Sequence, residues 1–188
     1  MNLRRWLVQR ARRLVGQLNE PQLHLYDIAP GAVVYDTRKF DANYGAHISI
    51  GAGTVVSASV RILAHDGSSQ KGAGVTIVKP VRIGERCFIG ADSAIMPGVT
   101  IGDDCVVGVG AVVTRDVPGG SVCAGVPARV IGTTADLHGR RRELAQRWQV
   151  FDGRQLCRGD APPEVLRERR AAAERDGGYF VTWDADRL

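Results

Sequence analysis

The stretch from Val81 to Pro118 repeats in sixes, as VRIGER, CFIGAD, SAIMPG, VTIGDD, CVVGVG, AVVTRD and VP. A branched apolar residue recurs at every sixth position, namely at Ile83, Ile89, Ile95, Ile101, Val107 and Val113. A second series of small or branched residues lies two positions earlier, at Val81, Cys87, Ser93, Val99, Cys105, Ala111 and Val117. A fixed internal period indicates a repeat architecture, in which each unit buries its apolar face against its neighbours.

The spacing predicts a parallel β-helix. Within each six, two apolar side chains that are two positions apart point to the same side of a short strand. The Gly, Asp and Pro residues between them suit the corners. Three strands would close one triangular coil, so the coil repeats about every 18 residues, and equivalent positions stack at about the 4.8 Å spacing of neighbouring strands.

The sequence of the repeat resembles that of the hexapeptide acyltransferases, and within them that of the sugar and polysaccharide O-acetyltransferases. IGERCFIGADSAIMPGVTIGDDCVVGVGAVVTRDVPGGS (residues 83–121) and AGVPARVIG (residues 124–132) are similar to that family's C-terminal signature. A weaker match extends the resemblance over roughly residues 28–132. The resemblance implies a left-handed β-helix, acetyl-CoA as the acyl donor, and a homotrimer with its active sites between neighbouring subunits.

The 188 residues are expected to form one domain with appendages. Residues 1–20 are predicted to form an amphipathic helix, residues 21–132 the catalytic β-helix, and residues 133–188 a helical appendage. Within that appendage, helices are expected near residues 135–149 and 163–176. The appendage would cover the open end of the repeat.

The net charge of +5 comes mostly from residues 1–20, which carry five arginines and one glutamate. Two interpretations remain open for this segment. It packs on the protein or on another subunit, or it lies on an anionic membrane surface. The β-helix lacks the basic and aromatic pattern of nucleic-acid binding. No signal peptide and no run of 18 apolar residues is present, which predicts a cytoplasmic protein, at the inner membrane face if residues 1–20 bind lipid.

The repeat breaks between Ile62 and Ile83, which are 21 positions apart. Since 21 exceeds a multiple of six by three, three extra residues are expected to leave the wall, in a loop near residues 63–80. Residues 19–47 are weakly patterned, with Ile28, Val34, Phe40 and Tyr44 as candidates for early coils. Loops on a rigid scaffold are frequent sites of function.

His65 in this loop is predicted to be the general base. A neutral histidine can remove the proton of a hydroxyl group as its oxygen attacks a thioester. The sequence His65-Asp66-Gly67-Ser68 resembles the region of the catalytic base in polysaccharide O-acetyltransferases. Asp66 is a candidate for orienting the imidazole. Asn43, Tyr44 and His47 are candidate contacts to the acceptor.

The donor-binding residues follow from the same resemblance. The matching positions are Ala91, Val109, Gly110, Thr114, Arg115 and Arg129. The small residues would accept the pantetheine arm, and the two arginines would contact the phosphates of acetyl-CoA. Other interpretations of the chain are a non-catalytic β-helix scaffold and an acetyltransferase for a non-sugar acceptor.

The four cysteines form no CxxC pair, so neither a zinc site nor a redox motif is expected. Cys87 and Cys105 are one coil apart and are interpreted as small buried hydrophobes, with a disulfide as the alternative. Cys123 would extend their column if the register continued. A carbonic anhydrase on this scaffold would need histidines where Ala91 and Met96 stand, so no metal is predicted.

Overall fold

The computed structural model describes residues 25–152 and 162–182. By the density of its contacts the chain divides into two compact units, Met1–Thr134 and Ala135–Leu188. The helix predicted for residues 1–20 lies outside the described residues, and so does Cys157.

In the described residues of the first unit, the regular elements are mostly strands of two to five residues. In chain order they are β1 (Asp27–Ile28), β2 (Val33–Val34), β3 (Ile48–Ile50), β4 (Val55–Val56), β5 (Arg61–Ile62), β6 (His65–Asp66), β7 (Ile77–Val78), β8 (Val81–Ile83), β9 (Phe88–Ile89), β10 (Ala94–Ile95), β11 (Thr100–Ile101), β12 (Val106–Val107), β13 (Val112–Val113), β14 (Ser121–Ala124) and β15 (Arg129–Thr133). A 3₁₀ turn spans Gly45–His47, and a short helix, α1, spans Gln70–Ala73.

The strands form three walls of a triangular column. Wall A holds β1, β3, β8 and β11, wall B holds β2, β4, β9, β12, β14 and β15, and wall C holds β5, β10 and β13. Neighbouring strands within a wall run parallel, except that β15 turns back antiparallel to β14. This arrangement confirms the predicted β-helix.

The six-residue period fixes the registers of these walls. Ile83 pairs with Ile101, and one step further along the chain Ile89 pairs with Val107, each partner 18 positions later. Every side chain of the two series between Val81 and Val117 is at most 6% exposed, so both series point inward. Burying one such side chain contributes roughly 1.5–3 kcal/mol, and the stacked columns are therefore the main source of stability.

The break in the repeat is larger than the sequence suggested. Ile62 pairs with Ile95, which is 33 positions later, whereas a plain coil returns after 18. This coil therefore contains 15 extra residues, which leave the column here. The prediction of three extra residues is wrong. A smaller insertion precedes it, because Ile28 pairs with Ile50 after 22 positions, which leaves four extra residues following Phe40.

The last coil is shorter than the others. Val117 bridges to Ile101 after 16 positions, so two residues are missing from this coil. As a result Cys123 pairs with Val107 and leaves the column of Cys87 and Cys105 that it was expected to extend. All three thiols are free and buried, as their interpretation as small hydrophobes requires.

The second unit contains two helices and a pair of strands. The helices are α2 (Thr134–Ala145) and α3 (Pro163–Asp176), and the strands are β16 (Val150–Asp152) and β17 (Phe180–Thr182). The two strands pair in parallel. The rings of Trp148 and Phe180 stack with their centroids 5.4 Å apart, so this unit has an aromatic core of its own.

Candidate active site

Among the described residues, the insertions and the shortening that change the length of a coil all occur where the chain passes from wall C to wall A. We call this corner the CA edge and define it by Asp41, Leu63–His65, Met96–Gly98 and Thr114–Arg115 on successive coils. Backbone hydrogen bonds join the coils there, from the amide of Asp41 to the carbonyl oxygen of Ile62 and from that of Leu63 to Ile95. Both described insertions therefore project from one corner.

The 15-residue insertion forms a hairpin on the CA edge. β6 pairs antiparallel with β7, with His65 opposite Val78. The amide of Lys79 donates to the carbonyl oxygen of Ala64 at 2.8 Å, which closes the hairpin against the column. His65 is thus fixed at the base of the hairpin, close to the rigid wall.

A buried carboxylate from the preceding coil holds His65. Nδ1 of His65 contacts Oδ2 of Asp41, and the same oxygen accepts the amide N–H of Ala64 at 3.1 Å. The side chain of Asp41 is 2% exposed and that of His65 is 34% exposed. Because a carboxylate accepts rather than donates, this contact places the ring proton on Nδ1. Nε2, which makes no hydrogen bond within the described residues, is left able to take a proton.

Asp66 has a different role from the one predicted. Its Oδ1 accepts the backbone N–H of Ser68 at 2.8 Å, in a turn on the protein surface. Hydrogen bonds from Ser68 are the main reason that the pKa of the Asp66 carboxyl group is lowered. Asp41, which the sequence analysis did not select, takes the orienting position that was expected for Asp66.

Two aromatic side chains extend the site beyond His65. The ring of Tyr44 lies 4.9 Å from the His65 ring, centroid to centroid, with a tilt of 42°. His47 follows in the 3₁₀ turn, with its ring 6.3 Å from that of Tyr44. Tyr44 therefore belongs to the loop after Phe40. The prediction that it belongs to an early coil, with Ile28, Val34 and Phe40, is wrong. Asn43 is exposed in the same loop.

Three of the candidate donor residues lie at a different corner. Ala91, Val109 and Gly110 are found where the chain passes from wall B to wall C, which we call the BC edge. The amide of Gly110 donates to the carbonyl oxygen of Ala91 at 2.9 Å, so the two are on adjacent coils. Val109 is 74% exposed. In a single chain, wall C separates this edge from His65.

The other three donor candidates lie toward the C-terminal end of the column. Thr114 and Arg115 are on the CA edge, about two coil spacings of roughly 4.8 Å below the level of Leu63. Arg115 and Arg129 line one cavity of about 150 Å³, together with the core residues Val113, Val117 and Cys123. Nη1 of Arg129 donates to the carbonyl oxygen of Ala128 at 2.9 Å. Arginine side chains are suited to binding phosphate.

The described residues include no group of three or more His, Cys, Asp or Glu side chains that would hold a metal ion. Among the helices in residues 25–152 and 162–182, none is long and apolar enough to cross a membrane.

Comparisons with known proteins agree with this architecture. A family model described as the hexapeptide repeat of succinyl-transferase matches residues 80–115. Nodulation protein L of Rhizobium meliloti (strain 1021) is 39% identical over 140 residues, which cover 59% of this chain and 75% of that protein.

Solved structures give weaker matches. A maltose O-acetyltransferase from Clostridium difficile 630 is 26% identical, with coverage of 58% of this chain and 69% of that chain and a TM-score of 0.46. A galactoside acetyltransferase in complex with coenzyme A is 27% identical, with coverage of 61% and 64% and a TM-score of 0.43.

The extent of the match to nodulation protein L, together with the repeat itself, decides the assignment. The chain belongs to the hexapeptide-repeat acetyltransferase family, whose fold is the left-handed parallel β-helix.

Proposed function

We propose that this enzyme transfers an acetyl group from acetyl-CoA to a hydroxyl group of a sugar, with His65 as the general base. The observation that carries the proposal is the contact between the His65 imidazole and the buried carboxylate of Asp41. It fixes the ring at the column surface and leaves Nε2 available for the acceptor. Family membership supplies the reaction class, and surface polysaccharide or glycoconjugate biosynthesis is the proposed setting.

The chemistry follows from this geometry. Nε2 of His65 takes the proton of the acceptor hydroxyl as its oxygen attacks the thioester carbonyl carbon. The carbon–oxygen bond forms, the carbon–sulfur bond breaks, and the imidazolium returns the proton to the departing sulfur. Asp41 stabilises the imidazolium between these two transfers, because it places a negative charge against Nδ1.

The acceptor is proposed to bind against the aromatic residues beside His65. The Tyr44 ring offers a flat apolar surface next to the imidazole, and the C–H faces of a sugar ring pack well on such a surface. Asn43 and His47 in the same loop supply polar groups for sugar hydroxyls.

The donor is proposed to lie with its phosphates at Arg115 and Arg129. Thr114 on the same edge and the small residues Ala91, Val109 and Gly110 on the BC edge would contact the pantetheine arm. Because the BC edge is separated from His65 in one chain, we propose that the site is completed in a homotrimer, where the BC edge of one copy meets the CA edge of the next. A column of outward apolar residues on β2, β4, β9, β12 and β14 of wall B supports such packing, namely Val33, Val55, Phe88, Val106 and Val122.

His65→Ala tests the proposed base. We expect acetyl transfer to slow by on the order of a hundredfold or more, with acetyl-CoA binding unchanged, because only proton transfer is lost. Release of free CoA thiol with a panel of sugars measures turnover, and calorimetry measures donor binding. His138→Ala, which removes an exposed histidine from α2, is the matched control. Equal turnover of the His65→Ala and wild-type enzymes would remove His65 from this role.

A mixing experiment tests the shared site. His65→Ala and Ala91→Trp chains are each expected to be inactive, the second because the indole blocks the donor arm. When they are coexpressed, about a quarter of the sites in random trimers combine an intact His65 with an intact Ala91 from the neighbouring copy. Recovery of about a quarter of wild-type activity is expected, and a mixture that stays inactive contradicts the shared site.

A further inference from the structure

A guanidinium group is buried inside the second unit and makes no hydrogen bond to the residues that the structure describes. Arg169 on α3 is 2% exposed. Its Nε, Nη1 and Nη2 atoms are all buried and have no hydrogen-bond partner within residues 25–152 and 162–182. Ala172, one helical turn away, is 0% exposed, so Arg169 lies on the inward face of the helix. A buried guanidinium without a partner is strongly unfavourable, and such groups are normally paired with an anion.

The described carboxylates of α3 do not supply that anion. Glu168 accepts a hydrogen bond from Nε2 of Gln149 at 2.8 Å. Glu174 and Asp176 pair with other arginines of the same helix, at 3.5 and 2.7 Å, and Glu164 is exposed. The positive charge of the buried guanidinium is therefore not balanced from its own helix.

An aromatic ring covers one face of the group. Cζ of Arg169 lies 5.3 Å from the centroid of the Phe151 ring. This cation–π contact stabilises the positive charge but satisfies none of the N–H groups as a hydrogen bond would. The planar fork of N–H donors of a guanidinium matches the two oxygens of a carboxylate or a phosphate.

We propose that Arg169 is a binding site for a small oxyanion, a phosphate or a carboxylate, in the interior of the second unit. The site is independent of the acetyl-transfer chemistry, since it uses no residue of the candidate active site. Its expected effect is to make the stability of this unit depend on the anion.

The test is the thermal unfolding of the full chain in a Trp6→Phe background, in which the remaining tryptophans are Trp148 and Trp183. Fluorescence is followed in sodium phosphate, sodium acetate and sodium chloride at matched ionic strength. An anion at about 100 times its Kd should raise the midpoint by about 5–10 °C over chloride. A rise in phosphate alone identifies a phosphate site, and a rise in acetate identifies a carboxylate site.

Three variants define the outcome. Arg169→Met should abolish the shift, and Arg169→Lys should reduce it because a lysine lacks the fork. Arg170→Met, which removes an exposed neighbour that pairs with Glu174, should retain it. A wild-type midpoint that is equal in all three salts overturns the proposal, because a carboxylate of the chain itself would then neutralise Arg169. This holds even if the Arg169→Met protein is less stable than wild type. A shift that persists in Arg169→Met overturns it as well.

Discussion

Asp41→Asn should slow acetyl transfer by about 2- to 30-fold and leave acetyl-CoA binding unchanged. Oδ2 of Asp41 accepts hydrogen bonds from Nδ1 of His65 and from the amide of Ala64. The backbone N–H of Ala64 requires an acceptor at that position, so the asparagine will place its carbonyl oxygen there and turn its NH₂ group away. The substitution therefore keeps the tautomer of His65 and removes only the negative charge.

The magnitude follows from that loss of charge. A hydrogen bond to a charged group contributes roughly 1.5–3 kcal/mol, and one between neutral groups about 1 kcal/mol. The imidazolium formed during the reaction would lose the difference, about 0.5–2 kcal/mol, and each 1.36 kcal/mol corresponds to roughly tenfold in rate. Asp41→Ala should cost more, because it also leaves the Ala64 amide buried without an acceptor.

The assay compares initial rates of CoA release at saturating acetyl-CoA, and calorimetry checks donor binding. Asp66→Asn is the matched control, since it alters a carboxylate next to His65 in sequence whose hydrogen bond goes to Ser68. Its rate should stay within about twofold of wild type, because a surface change away from the imidazole has little effect. An Asp41→Asn enzyme with the wild-type rate would refute the reasoning, and so would an equal loss in both variants.

Two further predictions concern the column itself. In Gly90→Ala the new Cβ would lie 2.7 Å from the carbonyl oxygen of Val107 on the next coil, which should lower the unfolding temperature by a few to about 10 °C. Gly139 has open space around it, so Gly139→Ala should leave the unfolding temperature unchanged or raise it slightly. Equal unfolding temperatures for the two variants would contradict the tight spacing of the coils. Burial raises the pKa of the Cys123 thiol to about 11, so at pH 8 about one molecule in a thousand carries its thiolate. In a Cys157→Ser chain, Ellman's reagent should find no fast thiol before denaturation and three afterwards, and a thiol that reacts at once in the native chain refutes this.

The sequence predicted the regular part of the column well. A hydrophobic period of six reports which residues point inward, and the registers of Ile83 with Ile101 and of Ile89 with Val107 follow directly from it. These positions are determined by local alternation and by burial, both of which can be read from neighbouring residues.

The size of the insertion could not be predicted in the same way. A repeat of six residues reveals the length of an insertion only up to a multiple of six. The 21 positions between Ile62 and Ile83 therefore reveal three extra residues. They do not reveal the two further six-residue units that also leave the column. Only the pairing of Ile62 with Ile95 reveals that β6, α1 and β7 lie outside the column.

Asp41 was missed for a related reason. It belongs to the first coil, where the apolar pattern is weakest, and no motif singles it out. A signal is nevertheless present, because Asp41 follows Phe40 as Leu63 follows Ile62, and Phe40 bridges to Ile62. Indexing the first coil from Ile28, Val34 and Phe40 would have placed a carboxylate on the CA edge, one coil from His65.

The position of the irregularities explains how a repetitive column acquires an active site. In each complete coil of the described residues, the steps from wall A to wall B and from wall B to wall C are six residues, whereas the four-residue and 15-residue insertions and the two-residue shortening all fall on the CA edge. Two insertions that leave the same edge on successive coils must project side by side, at about the 4.8 Å spacing of the strands. Tyr44 and His65 are 21 positions apart in sequence, and their rings meet for this reason. The regular walls keep the position of the edge fixed, because their backbones cannot shift without breaking the stacked core. A carboxylate set into the first coil can therefore orient a histidine that follows the second, without a long loop having to hold either one.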